Sequence, residues 1–279
     1  MEQTMCNEIE RYTAFLHESE KADGTIEKYV RDVRSFVSWI GQEALCMEKV
    51  IEWKESLVES GYEPVTINSM LSSLNSFFKF IGKATCCVKF LKIQRKLYRS
   101  EEKELTKDEY LRLVKAAEDK GNERMVLLLE TICATGIRVS EVKYITMEAV
   151  ERGIAEITLK GKIRTIILPG KLCRKLRKYA GKRRIASGEI FLTGSGKAIN
   201  RKQIWASMKA LCKAANVDSS KVFPHNLRHL FARIFYKVSR DIVKLANVLG
   251  HSSIETTRIY LVTTSNEDAK QLDLLGLVS

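Results

Sequence analysis

Long apolar runs and paired cysteines are both missing from this sequence of 279 residues. No stretch approaches the roughly 18 apolar residues that a membrane-spanning helix needs. The N-terminal MEQTMCNEIE has neither the basic nor the apolar part of a signal peptide. The seven cysteines are odd in number, scattered and never form C-x-x-C, so the sequence indicates neither a disulfide framework nor a zinc ribbon. We therefore predict a cytoplasmic protein without a membrane span.

Acidic residues are scarce in one part of the chain. Residues 157 to 240 contain 21 lysines and arginines but only two acids, Glu189 and Asp218, a local net charge of +19. The rest of the chain carries 26 basic and 32 acidic side chains, a net charge of −6. Positive charge so concentrated favours a polyanionic partner, with nucleic acid as the leading candidate. A solvated basic face or a patch for anionic membranes is the alternative.

Histidine is also rare, and three of the four histidines lie in residues 223 to 260, FPHNLRHLFARIFYKVSRDIVKLANVLGHSSIETTRIY. His225 and His229 lack the intervening Glu of a metalloprotease helix, and no cluster of carboxylates or thiols completes a metal site. We therefore predict that the protein binds no metal. Taken singly, each residue of this stretch also has a structural interpretation: a His caps a helix, an Arg is a surface charge, and a Tyr packs at the edge of a core.

Helical periodicity fills residues 1 to 82 and predicts a small domain of four helices, the last opened by Pro64. Polar faces of the second and fourth helices could contact DNA. The candidate DNA-binding residues are Lys28, Arg31, Arg34, Asn68, Asn75 and Lys79. This segment holds 14 acidic and 8 basic residues, so solvated helix faces explain these rows equally well.

A linker is predicted at residues 83 to 104. Its stretch KFLKIQRKLYRSEEK is basic and contains neither Gly nor Pro, which favours a segment that lies along an anionic partner, with Lys96 and Arg99 as candidate contacts. A second domain, residues 105 to 279, begins with a capping box in which Thr106 is the N-cap and Glu109 its partner.

The second domain is mainly helical, but in AEITLKGKIRTIILP the apolar residues recur at every second position. This alternation predicts two strands, 155–159 and 164–168, joined by a turn at Lys160, Gly161 and Lys162, and GEIFLT predicts a further short strand. The fold class is therefore mainly α with a small β-hairpin or sheet. Lys160 would sit at the hairpin tip, within reach of a ligand. Lys162 in the same turn competes for that role and is a further candidate DNA-binding residue.

Three residue types here suit phosphodiester chemistry: arginine, tyrosine and lysine. Arg138 follows a turn at Gly136 and opens a helix, where the helix dipole disfavours a cation unless a phosphate is bound. Two arginines, Arg138 and Arg228, can clamp the non-bridging oxygens of a phosphate, where negative charge develops during cleavage. A phenol such as that of Tyr260 can attack the phosphorus, and a lysine can protonate the leaving oxygen.

Three segments resemble the signature boxes of the tyrosine recombinase (phage integrase) family: TGIRVSEV, HNLRH and LGHSSIETTRIY. The likeness covers residues 105 to 279, and the first domain resembles the family's helical core-binding, SAM-like domain. The layout is similar to Xer-like or simple integrases, with an α+β catalytic domain. The resemblance implies Arg138 and Arg228 as the phosphate clamp, Lys160 as general acid, His225 for proton transfer, His251 as a phosphate hydrogen-bond donor and Tyr260 as nucleophile. Glu141 would steady the basic groups, with His229 in support.

The implied activity is site-specific DNA recombination through a 3′-phosphotyrosine intermediate and a Holliday junction, without a cofactor. The implied partner is double-stranded DNA with an inverted-repeat core site, bound by a homotetramer, with DNA-bending or directionality factors as possible accessories and no membrane. The biological role would be integration and excision of a mobile element, inversion of a segment or chromosome dimer resolution. A type IB topoisomerase-like DNA relaxation activity and a non-catalytic DNA-binding regulator on the same fold are the alternatives.

Overall fold

The computed structural model of the protein describes residues 2–93, 103–159, 162–260 and 273. The chain forms two compact units, Met1–Arg95 and Lys96–Ser279. The described part is mainly helical and contains one two-stranded antiparallel sheet, which confirms the predicted fold class. Among the helices in these ranges, none has the length and apolar composition to cross a bilayer.

The first unit is built on four helices. They are α1 (Glu2–Glu18), α2 (Asp23–Ile40), α3 (Met47–Glu59) and α4 (Pro64–Phe80). Their apolar faces meet in a core of aromatic side chains, in which Phe36 packs edge-on against both Trp53 and Phe78. Pro64 occupies the first turn of α4, where its missing N–H costs nothing.

The segment after α4 packs back onto the first unit. A 3₁₀ helix, Ala84–Cys86, is followed by an extended stretch, and Cys86 and Val88 are buried in the core of this unit. The amide of Asn75 donates to the carbonyl of Val88 and accepts from its N–H, and Asn68 makes the same two bonds with Leu91. The first unit therefore extends past residue 82, and the beginning of the predicted linker belongs to it.

Nine helices of the second unit lie within the described ranges. They are α5 (Lys107–Asp119), α6 (Glu123–Thr135), α7 (Met147–Arg152), α8 (Gly170–Arg183), α9 (Arg201–Lys209), α10 (Cys212–Ala215), α11 (Pro224–Ser239), α12 (Ile242–Leu249) and α13 (Ile254–Arg258). The predicted capping box of α5 is present: the Glu109 N–H donates to Thr106 Oγ1, and the Thr106 N–H donates to the Glu109 carboxylate. α6 lies between α5, α8 and α11 and is buried on several sides.

The sheet is a hairpin of β1 (Ile154–Leu159) and β2 (Lys162–Ile167). Ile154 pairs with Ile167 at one end and Leu159 with Lys162 at the other. Lys162 is therefore the first residue of β2 and not part of the turn as predicted. The GEIFLT segment forms only isolated bridges, Thr146 with Glu189 and Leu192 with Ala198, so its prediction as a strand was wrong.

Candidate active site

Arg138 is placed by the sharp turn that ends α6. Gly136 adopts the left-handed conformation with φ +63°, and a Cβ there would lie 2.4 Å from Cδ1 of Phe231, so both backbone and space require glycine. Arg138 then caps a 3₁₀ helix, Val139–Tyr144, in place of the predicted α-helical start. Its Nη1 donates to Glu141 Oε1 at 2.8 Å, and its side chain is 40% exposed, so the guanidinium can still receive a ligand.

Glu141 is a buried carboxylate that two arginines share. Its side chain is 1% exposed, and its Oε2 accepts from the backbone N–H of Arg138 and from Nη1 of Arg164, both at 2.9 Å. Sequence reasoning did not select Arg164. The signal was present in the alternation of β2, because Arg164 shares a strand face with the buried Ile166, and an inward-facing arginine requires a buried acceptor.

Arg228 lies in the first turns of α11 and is 1% exposed. Its guanidinium donates to the carbonyl oxygens of Gly136 and, at 2.8 Å, Leu249, so it joins the end of α6 to the end of α12. A further N–H lies 2.9 Å from Nε2 of His251. Burial lowers the pKa of Arg228, and the positive charge of Arg138 lowers it further.

His251 follows the C-terminal Gly250 of α12 and contacts two partners. Because arginine can only donate, Nε2 of His251 accepts from Arg228, which assigns the remaining ring proton of the neutral imidazole to Nδ1. Nδ1 lies 2.9 Å from Oγ1 of Thr257, a fully buried residue of α13. Burial, with added repulsion from Arg228, lowers the pKa of His251 to about 4, in agreement with a neutral ring.

Tyr260 lies two residues after the end of α13. It is 4% exposed, and its ring packs edge-on against His229 at a centroid distance of 4.6 Å and stacks with His251 at 5.8 Å. Burial lowers the pKa of Arg228, and the nearby Tyr260 phenol partly offsets that larger effect by raising it. The phenol therefore lies directly beside the arginine that was selected as a phosphate ligand.

His225 and His229 occupy one face of α11, and their rings meet edge-on at 4.5 Å. Partial burial lowers the pKa of His225, as do the charges of Arg228 and Arg138. Both histidines thus line the side of Arg228 where Tyr260 lies. The structure brings together seven of the residues selected from sequence: Arg138, Glu141, His225, Arg228, His229, His251 and Tyr260.

The remaining candidates are four residues of the linker and hairpin and six residues of the first unit. Lys160, Lys96 and Arg99 lie outside the described residues, and Lys162 is described only through its place in β2. In the first unit, the ammonium of Lys28 donates to Asp32 at 2.5 Å and to the carbonyl of Ser69 at 3.0 Å.

Lys28, Asn68 and Asn75 therefore use their polar groups within the first unit. Arg31, Arg34 and Lys79 are exposed on its surface. Contact of any of these residues with DNA stays a prediction. No three histidine, cysteine or acidic side chains in the described ranges group in a way that could hold a metal ion.

Acid is expected to destabilise the protein through His251. The folded protein holds the imidazole pKa near 4, whereas the unfolded chain titrates near the ordinary value of 6.5. Unfolding therefore takes up a proton between these values, so stability is complete above pH 6.5 and falls as the pH is lowered towards 4. We expect the thermal unfolding midpoint of the wild type to fall more steeply in this window than that of His251→Gln. Parallel pH profiles would contradict the assignment of a neutral His251.

Comparison with known proteins identifies the family to which the chain is similar. Residues 103–267 match the model of the phage integrase family, and residues 9–84 match the phage integrase N-terminal SAM-like domain. The chain is 28% identical to tyrosine recombinase XerA of Pyrococcus furiosus over 99% of its length and 97% of that protein. It is 26% identical to tyrosine recombinase XerD of Vibrio cholerae over 90% and 89% of the two chains.

A solved structure supports the fold independently. The Tn1549 transposon integrase, in complex with transposon right-end DNA, superposes with a TM-score of 0.75 at 16% identity and covers 99% of both chains. The family-model match covers more than half of the sequence, and the prediction of a tyrosine recombinase made from three short motifs is confirmed. The chain therefore belongs to the phage integrase family.

Proposed function

We propose that this protein is a site-specific DNA recombinase that cleaves and rejoins DNA through a 3′-phosphotyrosine intermediate. The observation that carries this proposal is the packing of the Tyr260 ring against His251, which contacts the buried Arg228, with Arg138 held nearby by Glu141. A phosphate bound by the two guanidinium groups would lie next to the phenol oxygen. This arrangement suits nucleophilic attack on a phosphodiester.

The proposed reaction begins when the Tyr260 oxygen attacks the phosphorus. The new bond links tyrosine to the 3′ phosphate, the bond to the 5′ oxygen breaks, and Lys160 protonates that oxygen. His225, whose ring lies on the same face of α11 as Arg228 and His229, takes up the phenol proton. Arg138 and Arg228 stabilise the charge that develops on the non-bridging oxygens.

His251 can serve the same step by changing tautomer. In the structure its Nε2 accepts from Arg228. When Arg228 turns towards a phosphate, the Thr257 hydroxyl can donate to Nδ1 instead of accepting from it, which leaves Nε2–H to donate to the phosphate. Thr257 thus allows both states of His251.

Rejoining repeats these steps in reverse with a 5′ hydroxyl from the partner duplex. The energy of the broken bond is retained in the phosphotyrosine, so the proposed reaction uses no nucleotide and no divalent cation. We extend the proposal to a homotetramer that binds two inverted-repeat core sites in the cytoplasm, with DNA-bending or directionality factors as accessories. Integration and excision, inversion and dimer resolution are the roles that such chemistry serves.

Lysine 160 is expected to matter far more than Lys162. Lys160→Ala should slow cleavage by about 10²-fold or more, the usual effect of losing a general acid, while Lys162→Ala should cleave near the wild-type rate. A substrate with sulfur at the leaving 5′ position should restore cleavage to Lys160→Ala, because a thiolate leaves without protonation. Single-turnover rates on the two substrates provide the measurement. Equal rates for the two lysine variants would show that Lys160 is not the acid.

The proposed function is tested with a nicked suicide substrate made from inverted repeats that flank the gene. Loss of the short fragment prevents religation, so we expect a covalent protein–DNA adduct to accumulate in the presence of EDTA. No adduct would favour the DNA-binding regulator and overturn the proposal. Intact paired sites then separate the two enzymes, because a recombinase gives exchanged products, whereas a type IB topoisomerase only relaxes supercoils.

A further inference from the structure

Arg164 is a buried cation to which the proposed reaction assigns no role. It lies on β2 opposite Ile157, and its side chain is 11% exposed. A guanidinium group in such a position is costly unless hydrogen-bonded acceptors compensate for the lost water. The groups that accept hydrogen bonds from Arg164 should therefore indicate its role.

Its first acceptor connects Arg164 with the phosphate clamp. Nη1 of Arg164 donates to Glu141 Oε2 at 2.9 Å, while the other oxygen of the same carboxylate accepts from Nη1 of Arg138 at 2.8 Å. Glu141 has no conformational freedom of its own, since it is 1% exposed and also accepts from the backbone N–H of Arg138. Arg138 and Arg164 are thus linked through the two oxygens of one buried carboxylate.

The second acceptor connects Arg164 with the end of α12. Nη2 donates to the carbonyl of Val248 at 2.9 Å, and the next carbonyl, that of Leu249, accepts from Arg228. Carbonyl groups in the last turn of a helix have no partner within the helix. Two arginines from different elements therefore cap adjacent carbonyls immediately before His251.

The path of the Arg164 side chain depends on Gly250. This glycine has φ +64°, and a Cβ on it would lie 2.2 Å from Cδ of Arg164. The side chain thus packs directly against Gly250, at a point where a larger residue would collide with it. Burial lowers the pKa of Arg164 to about 10, partly offset by Glu141, so the group stays charged at neutral pH.

We propose that Arg164 is a positioning residue that aligns Arg138 through Glu141 and fixes β2 against the end of α12. It does not touch the phosphate. The proposal rests on the proposed function, because alignment of Arg138 has a measurable consequence only if the protein cleaves DNA. It adds β2 to the elements that support the site, and loss of the Arg164 side chain would loosen the phosphate clamp without removing any group that contacts DNA.

The test compares Arg164→Met, which preserves much of the side-chain volume, with Arg152→Met as the matched control. Arg152 is exposed and 3.9 Å from its partner Glu156, so we expect no change in the control. Arg164→Met should bind core-site DNA with wild-type affinity. It should cleave the suicide substrate about 10- to 100-fold more slowly, which is the usual loss when a residue that orients a functional ligand is removed. Thermal unfolding verifies that the variant is folded at the assay temperature.

A double-mutant cycle with Glu141→Gln separates positioning from a general structural defect. If Arg164 acts through Glu141, the double variant should cleave less than about threefold more slowly than Glu141→Gln alone. A difference of that size is roughly the error with which independent effects add. Fully multiplied losses, or wild-type cleavage by Arg164→Met, would overturn the proposal. Should Arg164→Met unfold, Arg164→Lys takes its place in the cycle, because lysine retains the charge without the two-pronged geometry. Wild-type protein that forms no adduct would instead contradict the proposed function.

Discussion

Tyr260→Phe is expected to abolish the covalent adduct while DNA binding remains at the wild-type level. Phenylalanine retains the ring that packs against His229 and His251, so the local fold should persist. What disappears is the hydroxyl group beside Arg228, the proposed nucleophile. Binding is measured by gel shift on an intact site, and cleavage by adduct formation on the suicide substrate.

Tyr236→Phe provides the matched control. Tyr236 belongs to α11 and packs against the same small apolar cluster as Tyr260, formed with Ala232, Leu245 and Leu249. Its hydroxyl has no place in the proposed reaction, so this variant should form the adduct at the wild-type rate. An adduct from Tyr260→Phe with wild-type yield would assign the nucleophile to another residue.

Arg228→Ala is expected to have the second largest effect, about 10²- to 10³-fold on the cleavage rate. The guanidinium would be lost both as a phosphate ligand and as the donor to two carbonyls, Gly136 and Leu249. Those carbonyls stay buried, so the free energy of unfolding should also fall by at least about 2 kcal/mol. Single-turnover cleavage and denaturant unfolding measure the two effects separately.

Arg228→Lys helps to distinguish chemistry from stability. Lysine can reach one of the carbonyls and retains the charge, so it should recover part of the unfolding free energy, but it cannot clamp a phosphate with two parallel bonds. We therefore expect cleavage by Arg228→Lys to remain well below the wild-type rate. Wild-type cleavage by either variant would remove Arg228 from the proposed site.

Local signals in the sequence were sufficient to predict the ends of several helices and the residues delivered there. Thr106 with Glu109, and the glycines at 136 and 250, act within a few residues of their own position. Arg138 and His251 each follow one of these glycines closely, so their place at a turn was predictable. The hairpin followed from the change of period alone.

Contacts between distant segments were not predictable in the same way. Arg164 binds Glu141 across 23 residues and Val248 across 84, and no local pattern states that these three meet. The polar row of α4 is a second example, because its Asn residues were selected as candidate DNA contacts. In the structure they bind the backbone of residues 88 to 91, and the sequence alone does not distinguish that arrangement from exposure to solvent. Periodicity identifies the polar face but not what covers it.

Peptide mapping of the wild-type adduct is the most direct test of the proposed chemistry. The trapped complex is digested with protease and nuclease, and mass spectrometry locates the residue that retains a nucleotide. We predict one modified peptide in which Tyr260 carries the nucleotide through its 3′ phosphate, together with a free 5′ hydroxyl on the released strand. A nucleotide on any other residue, or a linkage through a 5′ phosphate, would contradict it.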